Sequence, residues 1–98
     1  MKGKILIVED DTAFGKMMQK WFERNDFSVH WCTDIKSAQE ALTRKAYDVV
    51  LSDLRLPDGD GIMLLQWMKD RKIDTPVIIL TGYGEVQTAV SAIKLGAF

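Results

Sequence analysis

The sequence has one cysteine, one histidine and two prolines in 98 residues. A lone thiol, Cys32, leaves no partner for an intrachain disulfide, and one Cys with one His falls short of a zinc-type ligand set. A reducing, intracellular compartment fits. An excess of one charge is also lacking. Thirteen Lys and Arg stand against fourteen Asp and Glu, a formal net charge of −1, which excludes a strongly basic nucleic-acid binder as the first reading. The basic residues fall in small groups, Lys36, Arg44 with Lys45, and Lys69, Arg71 with Lys72, each read as the solvated end of a helix. No apolar run approaches the length of a membrane span. After Met1, KGKILIVEDD meets acids too soon for a signal peptide. There is no internal repeat and no low-complexity linker.

What is present suits one domain with an ordinary core: 98 residues, 47% of them hydrophobic. Ile5–Val8, Val49–Leu51 and Val77–Leu80 are apolar on successive residues, the pattern of strands buried on both faces of a parallel sheet. From Phe27 to Trp31 apolar and polar residues alternate, which predicts an edge strand with one wetter face. Helical spacing lies between these runs. Phe14, Met17, Met18, Trp21 and Phe22 form one stripe. Ala38, Ala41 and Leu42 form a second behind the cap residue Asp34. Ile62, Leu64, Leu65 and Met68 form a third, and Val86, Ala89, Val90, Ile93 and Ala97 a fourth. The order β-α-β-α-β-α-β-α predicts a doubly wound α/β fold with helices on both faces of a parallel sheet.

Such sheets bind ligands beyond the carboxyl ends of their strands. Glu9, Asp10 and Asp11 follow the first strand, Asp53 ends the third, and Thr81 and Gly82 follow the fourth. With the first and third strands adjacent, Glu9, Asp10 and Asp53 converge. Two carboxylates about 4 Å apart repel by roughly 4 kcal/mol at a surface-like dielectric. A shared proton or a cation relieves that, and an all-oxygen donor set selects Mg²⁺ or Mn²⁺. A phosphoryl group is the natural substrate beside such an ion. Asp53, alone on its loop, is expected as nucleophile, giving an acyl phosphate. Glu9 and Asp10 hold the metal, the carbonyl of Arg55 completes the set, Thr81 offers a hydroxyl, and Gly82 leaves its N–H open to the anion. Asp11 reads as a helix cap, and Asp58 and Asp60 as turn residues.

The stretches ILIVEDD, DVVLSDLRLPDGDG, PVIILTGYGE and AVSAIKLGAF resemble, in order and spacing, the receiver domains of two-component response regulators. TGYGEVQTAVSAIKLGAF looks most like receivers of nitrogen-regulation-type transcription activators. The resemblance implies a flavodoxin-like fold with strand order 2-1-3-4. It makes Glu9 and Asp10 the Mg²⁺-binding pair, Asp53 the phosphoacceptor loaded from a sensor histidine kinase, and Thr81 the switching hydroxyl. It places Arg55 and Tyr83 where loss of the phosphoryl group is tuned. It also implies a cytoplasmic signalling role, with a DNA-binding output domain outside this chain and neither nucleic-acid nor membrane binding by the chain itself.

Receivers continue into a fifth strand and helix carrying a Lys and an aromatic switch residue. The sequence stops at Phe98, so it reads as a C-terminally truncated receiver spanning 1–98. The fourth strand is then expected to be an open apolar edge, favouring a dimer or higher oligomer. Two other functions compete. A haloacid-dehalogenase-like phosphatase needs two Asp one residue apart, where VEDDT has them adjacent. A flavin binder would be repelled by three acids after the first strand.

His30 is expected to face solvent, Cys32 to be a structural thiol, Trp21 to be core, Trp67 to be partly exposed, and the Met residues to fill the core. GYGEVQ lacks the spacing of a dinucleotide site.

Overall fold

Residues 2–80 are described by the structure, a computed structural model. They form β1 (Lys4–Val8), α1 (Thr12–Arg24), β2 (Ser28–Cys32), α2 (Ile35–Arg44), β3 (Val49–Asp53), β4 (Arg55–Leu56), β5 (Gly59–Asp60), α3 (Gly61–Asp70) and β6 (Val77–Leu80). The apolar runs build a four-stranded sheet in the order β2-β1-β3-β6, with every pair parallel. Counting only these four strands, this is the expected order 2-1-3-4. The hairpin of β4 and β5 was not anticipated. It is a short antiparallel pair in which Arg55 lies opposite Asp60.

Successive residues of β1 feed two cores. Leu6 and Val8 join Val50, Ala38, Ala41, Leu42, Leu64, Leu65 and Met68 beneath α2 and α3. Ile5 and Ile7 join Leu51 and Met18 beneath α1. A strand with helices on both sides has no wet face, so its sequence runs apolar without alternation. β2 at the edge does alternate: Ser28 and His30 are exposed, while Val29 and Trp31 are partly covered.

The helices begin where short polar side chains cap them. Asp11 accepts from Phe14 N–H, Asp34 from Ser37 N–H and Asp60 from Met63 N–H. Asp60 is therefore a helix cap. Asp58 sits in the turn between β4 and β5, as expected, and its two oxygens also accept the N–H groups of Ile35 and Lys36 at 2.9 and 3.1 Å.

The stripe on α1 is corrected. Trp21 is 58% exposed and Met17 57%. The face of α1 that meets the sheet runs through Gly15, Met18 and Phe22. Phe14, Met17 and Trp21 lie one residue, about 100°, further round the helix. Met63 is also exposed, so only some of the methionines fill the core. Cys32 is buried, His30 is exposed and Trp67 is partly covered, as expected. The fourth helix, and whatever borders β6 beyond Leu80, lie outside the described residues. Among the described residues no helix is long and apolar enough to cross a membrane.

Candidate functional site

Strand adjacency builds the site. Val8 lies opposite Ser52 in the β1–β3 register, so the residues that follow, Glu9 and Asp53, leave the sheet side by side at its carboxyl rim. Carboxylate oxygens of Glu9, Asp10 and Asp53 all lie within 4.8 Å of one another. These acids line an open hollow together with Asp11, Phe14, Ile79 and Leu80.

The backbone under the acids is tied down. Glu9 N–H donates to Cys32 O at 2.9 Å, continuing the β1–β2 ladder past its last strand residue. The Glu9 carbonyl accepts from the Trp31 indole N–H at 2.9 Å. The Glu9 carboxylate accepts Asp11 N–H at 3.1 Å. On the other side, Ser52 Oγ donates to Asp53 O at 2.9 Å. Leu54 N–H donates to Leu80 O at 3.0 Å, and Gly61 N–H to Leu54 O at 2.7 Å. Gly61 is needed there, because a Cβ would sit 2.8 Å from the Asp53 carbonyl oxygen.

The three acids differ in exposure: Glu9 is buried, Asp53 partly buried and Asp10 exposed. Burial pushes the Glu9 carboxyl up to about 7, and the neighbouring Asp53 and Asp10 carboxyls add to it against the opposing Asp11 N–H. The donor set is all carboxylate oxygen, which suits Mg²⁺ or Mn²⁺ better than zinc.

Arg55 opens β4 two residues past Asp53, so its backbone lies on the loop leaving the site. Thr81, Gly82 and Tyr83 lie outside the described residues. The parts played by Trp31, Ser52 and Gly61 were not legible in sequence. Trp31 acts on the backbone of Glu9, which only the sheet brings near, while Ser52 bonds the carbonyl of its own chain neighbour. Cys32 is a quiet thiol: burial first, then Asp34 and Glu40, push it up to about 11.

The family model for the response regulator receiver domain matches residues 5–98. The chain is 38% identical over 95 residues to the response regulator protein PilR of Pseudomonas aeruginosa, covering 97% of this chain and 21% of PilR. It is 38% identical over 96 residues to the transcriptional regulatory protein FixJ of Bradyrhizobium diazoefficiens, covering 98% of this chain and 47% of FixJ. The crystal structure of full-length FixJ from B. japonicum superposes with a TM-score of 0.93 at 37% identity, over 99% of this chain and 48% of that one. The chain thus spans from about a fifth to about half the length of these curated relatives.

Proposed function

The chain belongs to the response regulator receiver domain family, and from that membership we propose that it accepts a phosphoryl group on Asp53 in a Mg²⁺-dependent reaction. The observation that carries this reading is the convergence of Glu9, Asp10 and Asp53 within 4.8 Å at the rim of a parallel sheet. The donor is a sensor histidine kinase, in which the phosphoryl group sits on a histidine nitrogen. An Asp53 carboxylate oxygen attacks phosphorus, the P–N bond breaks, and the nitrogen keeps the electron pair. The product is an acyl phosphate.

Glu9 and Asp10, with Asp53 and the Arg55 carbonyl, would hold the metal. Mg²⁺ supplies charge neutralisation for the phosphoryl oxygens when bound. The Glu9 proton must leave before the site presents its full negative charge. Ser52 holds the Asp53 carbonyl and Gly61 N–H the Leu54 carbonyl, so the backbone that carries the attacking carboxylate is fixed in place. Thr81 donates its hydroxyl to a phosphoryl oxygen and Gly82 its N–H, while Arg55 and Tyr83 tune hydrolysis of the acyl phosphate. The setting is cytoplasmic. The relatives PilR and FixJ are a response regulator and a transcriptional regulator, so the output controlled is a DNA-binding domain, through a shift in conformer populations.

Incubation with Mg²⁺ and acetyl phosphate, read by intact mass, tests the reading. Wild type gains one phosphoryl group and Asp53→Asn gains none. Equal labelling of both proteins removes Asp53 from this role.

A further inference from the structure

The phosphoryl reading leaves one contact unused. The Trp31 indole N–H donates to the backbone oxygen of Glu9 at 2.9 Å. The same ring lies flat against α1 at Gly15, where a Cβ would come within 2.3 Å of ring atom Cε2. A tryptophan on an edge strand would ordinarily reach solvent, and here it is drawn under the turn that carries two of the three acids.

Three carboxylates within 4.8 Å push one another apart, by roughly 4 kcal/mol for a pair at 4 Å and a surface-like dielectric. One relief is rotation of the Glu9–Asp10 peptide away from Asp53, since that peptide lies beyond the end of β1. Two bonds from β2 hold Glu9, and only the one at its carbonyl lies on the rotating peptide. Cys32 O receives Glu9 N–H, and Trp31 holds Glu9 O. The first continues the sheet ladder, while the second comes from a side chain and depends on space beside α1.

We propose that Trp31 is a positioning residue for the cation site: its indole fixes the Glu9 peptide so that the Glu9 and Asp10 carboxylates stay aimed at Asp53, with Gly15 supplying the room the ring needs. The inference rests on the cation-site reading above. Outer groups that orient ligands commonly change metal affinity by tenfold or more.

Mn²⁺ is the probe, with free ion counted by electron paramagnetic resonance so that removing a tryptophan does not disturb the signal. Trp31→Phe keeps a ring and deletes the donor. It is expected to weaken Mn²⁺ binding about tenfold. In a Glu9→Gln background the same substitution is expected to have a smaller further effect, because only the Asp10 carboxylate is left for the indole to position. In labelling by acetyl phosphate, the half-saturating Mg²⁺ concentration rises while the rate at saturating Mg²⁺ stays near wild type. Gly15→Ala, which displaces the ring and keeps the indole, weakens Mn²⁺ in the same direction. Unchanged Mn²⁺ affinity in Trp31→Phe overturns the proposal. So does an equal loss with and without the Glu9 carboxylate, which is the mark of general damage. If Glu9→Gln and Asp53→Asn both bind Mn²⁺ as wild type does, the cation-site reading falls, and Trp31's role falls with it.

Discussion

Asp58 caps a helix that begins 23 residues before it: its carboxylate takes the N–H groups of Ile35 and Lys36 at 2.9 and 3.1 Å. The loop that leaves Asp53 is thereby tied to the first turn of α2, where Asp34 already satisfies Ser37 N–H. Asp58→Ala strips two first-turn donors of their partner. The expected cost is about 1–2 kcal/mol, read as a lower urea midpoint with unchanged slope. Asp58→Asn, which keeps one acceptor oxygen, should fall between the two.

Gly15→Ala is a contest between two effects. Alanine favours a helix over glycine by about 1 kcal/mol. The added Cβ would lie 2.3–2.5 Å from three Trp31 ring atoms, and overpacking of that kind costs about 1–3 kcal/mol. The variant should be less stable than wild type by chemical denaturation. A more stable Gly15→Ala protein would mean that the indole moves aside without penalty.

The Glu9 carboxyl sets a pH dependence whose sign is unusual for an acid. Its ordinary value is 4.5 and burial first, with neighbouring acids, lifts it to about 7. Between those values the folded protein holds a proton that the unfolded chain has released. Metal-free stability therefore falls as pH rises through this window and stays lower above it. Cation binding runs the other way, because the carboxylate must be ionised to serve as a ligand. Mg²⁺ should raise the melting temperature more at about pH 8 than at about pH 6. In Glu9→Gln that difference should shrink.

Exposure on α1 gives a contrast that separates stripe from core. Leu64 is fully buried between α3 and the sheet, and Leu64→Ala should cost about 2–5 kcal/mol. Trp21 is 58% exposed and touches Phe22 edge-on, with ring centroids 5.1 Å apart. Trp21→Gln should cost no more than about 1 kcal/mol. Denaturation of both variants under one condition checks the ranking.

The element pattern was legible because each rule behind it is local. Unbroken apolar runs mark strands covered on both faces, and Asp34 caps α2 because a short acceptor beside a helical stripe has one obvious use. The α1 stripe was misread for a related reason. Periodicity shows that apolar residues share a face, and it does not show how wide a strip of that face the sheet covers. Met18 and Phe22 touch the sheet, while Met17 and Trp21, one step round the helix, do not.

The acids themselves could be picked out in sequence, since buried parallel strands release their first polar residues at one rim. Which rim residues become neighbours was decided by strand order. β1 lies between β2 and β3, and that is what sets Glu9 beside Asp53 and Trp31 beneath Glu9. Hydrogen-bonded ladders join segments more than 20 and 40 residues apart. The chain fixes its strands and helices through short-range periodicity, whereas the site exists only once long-range pairing has chosen their order.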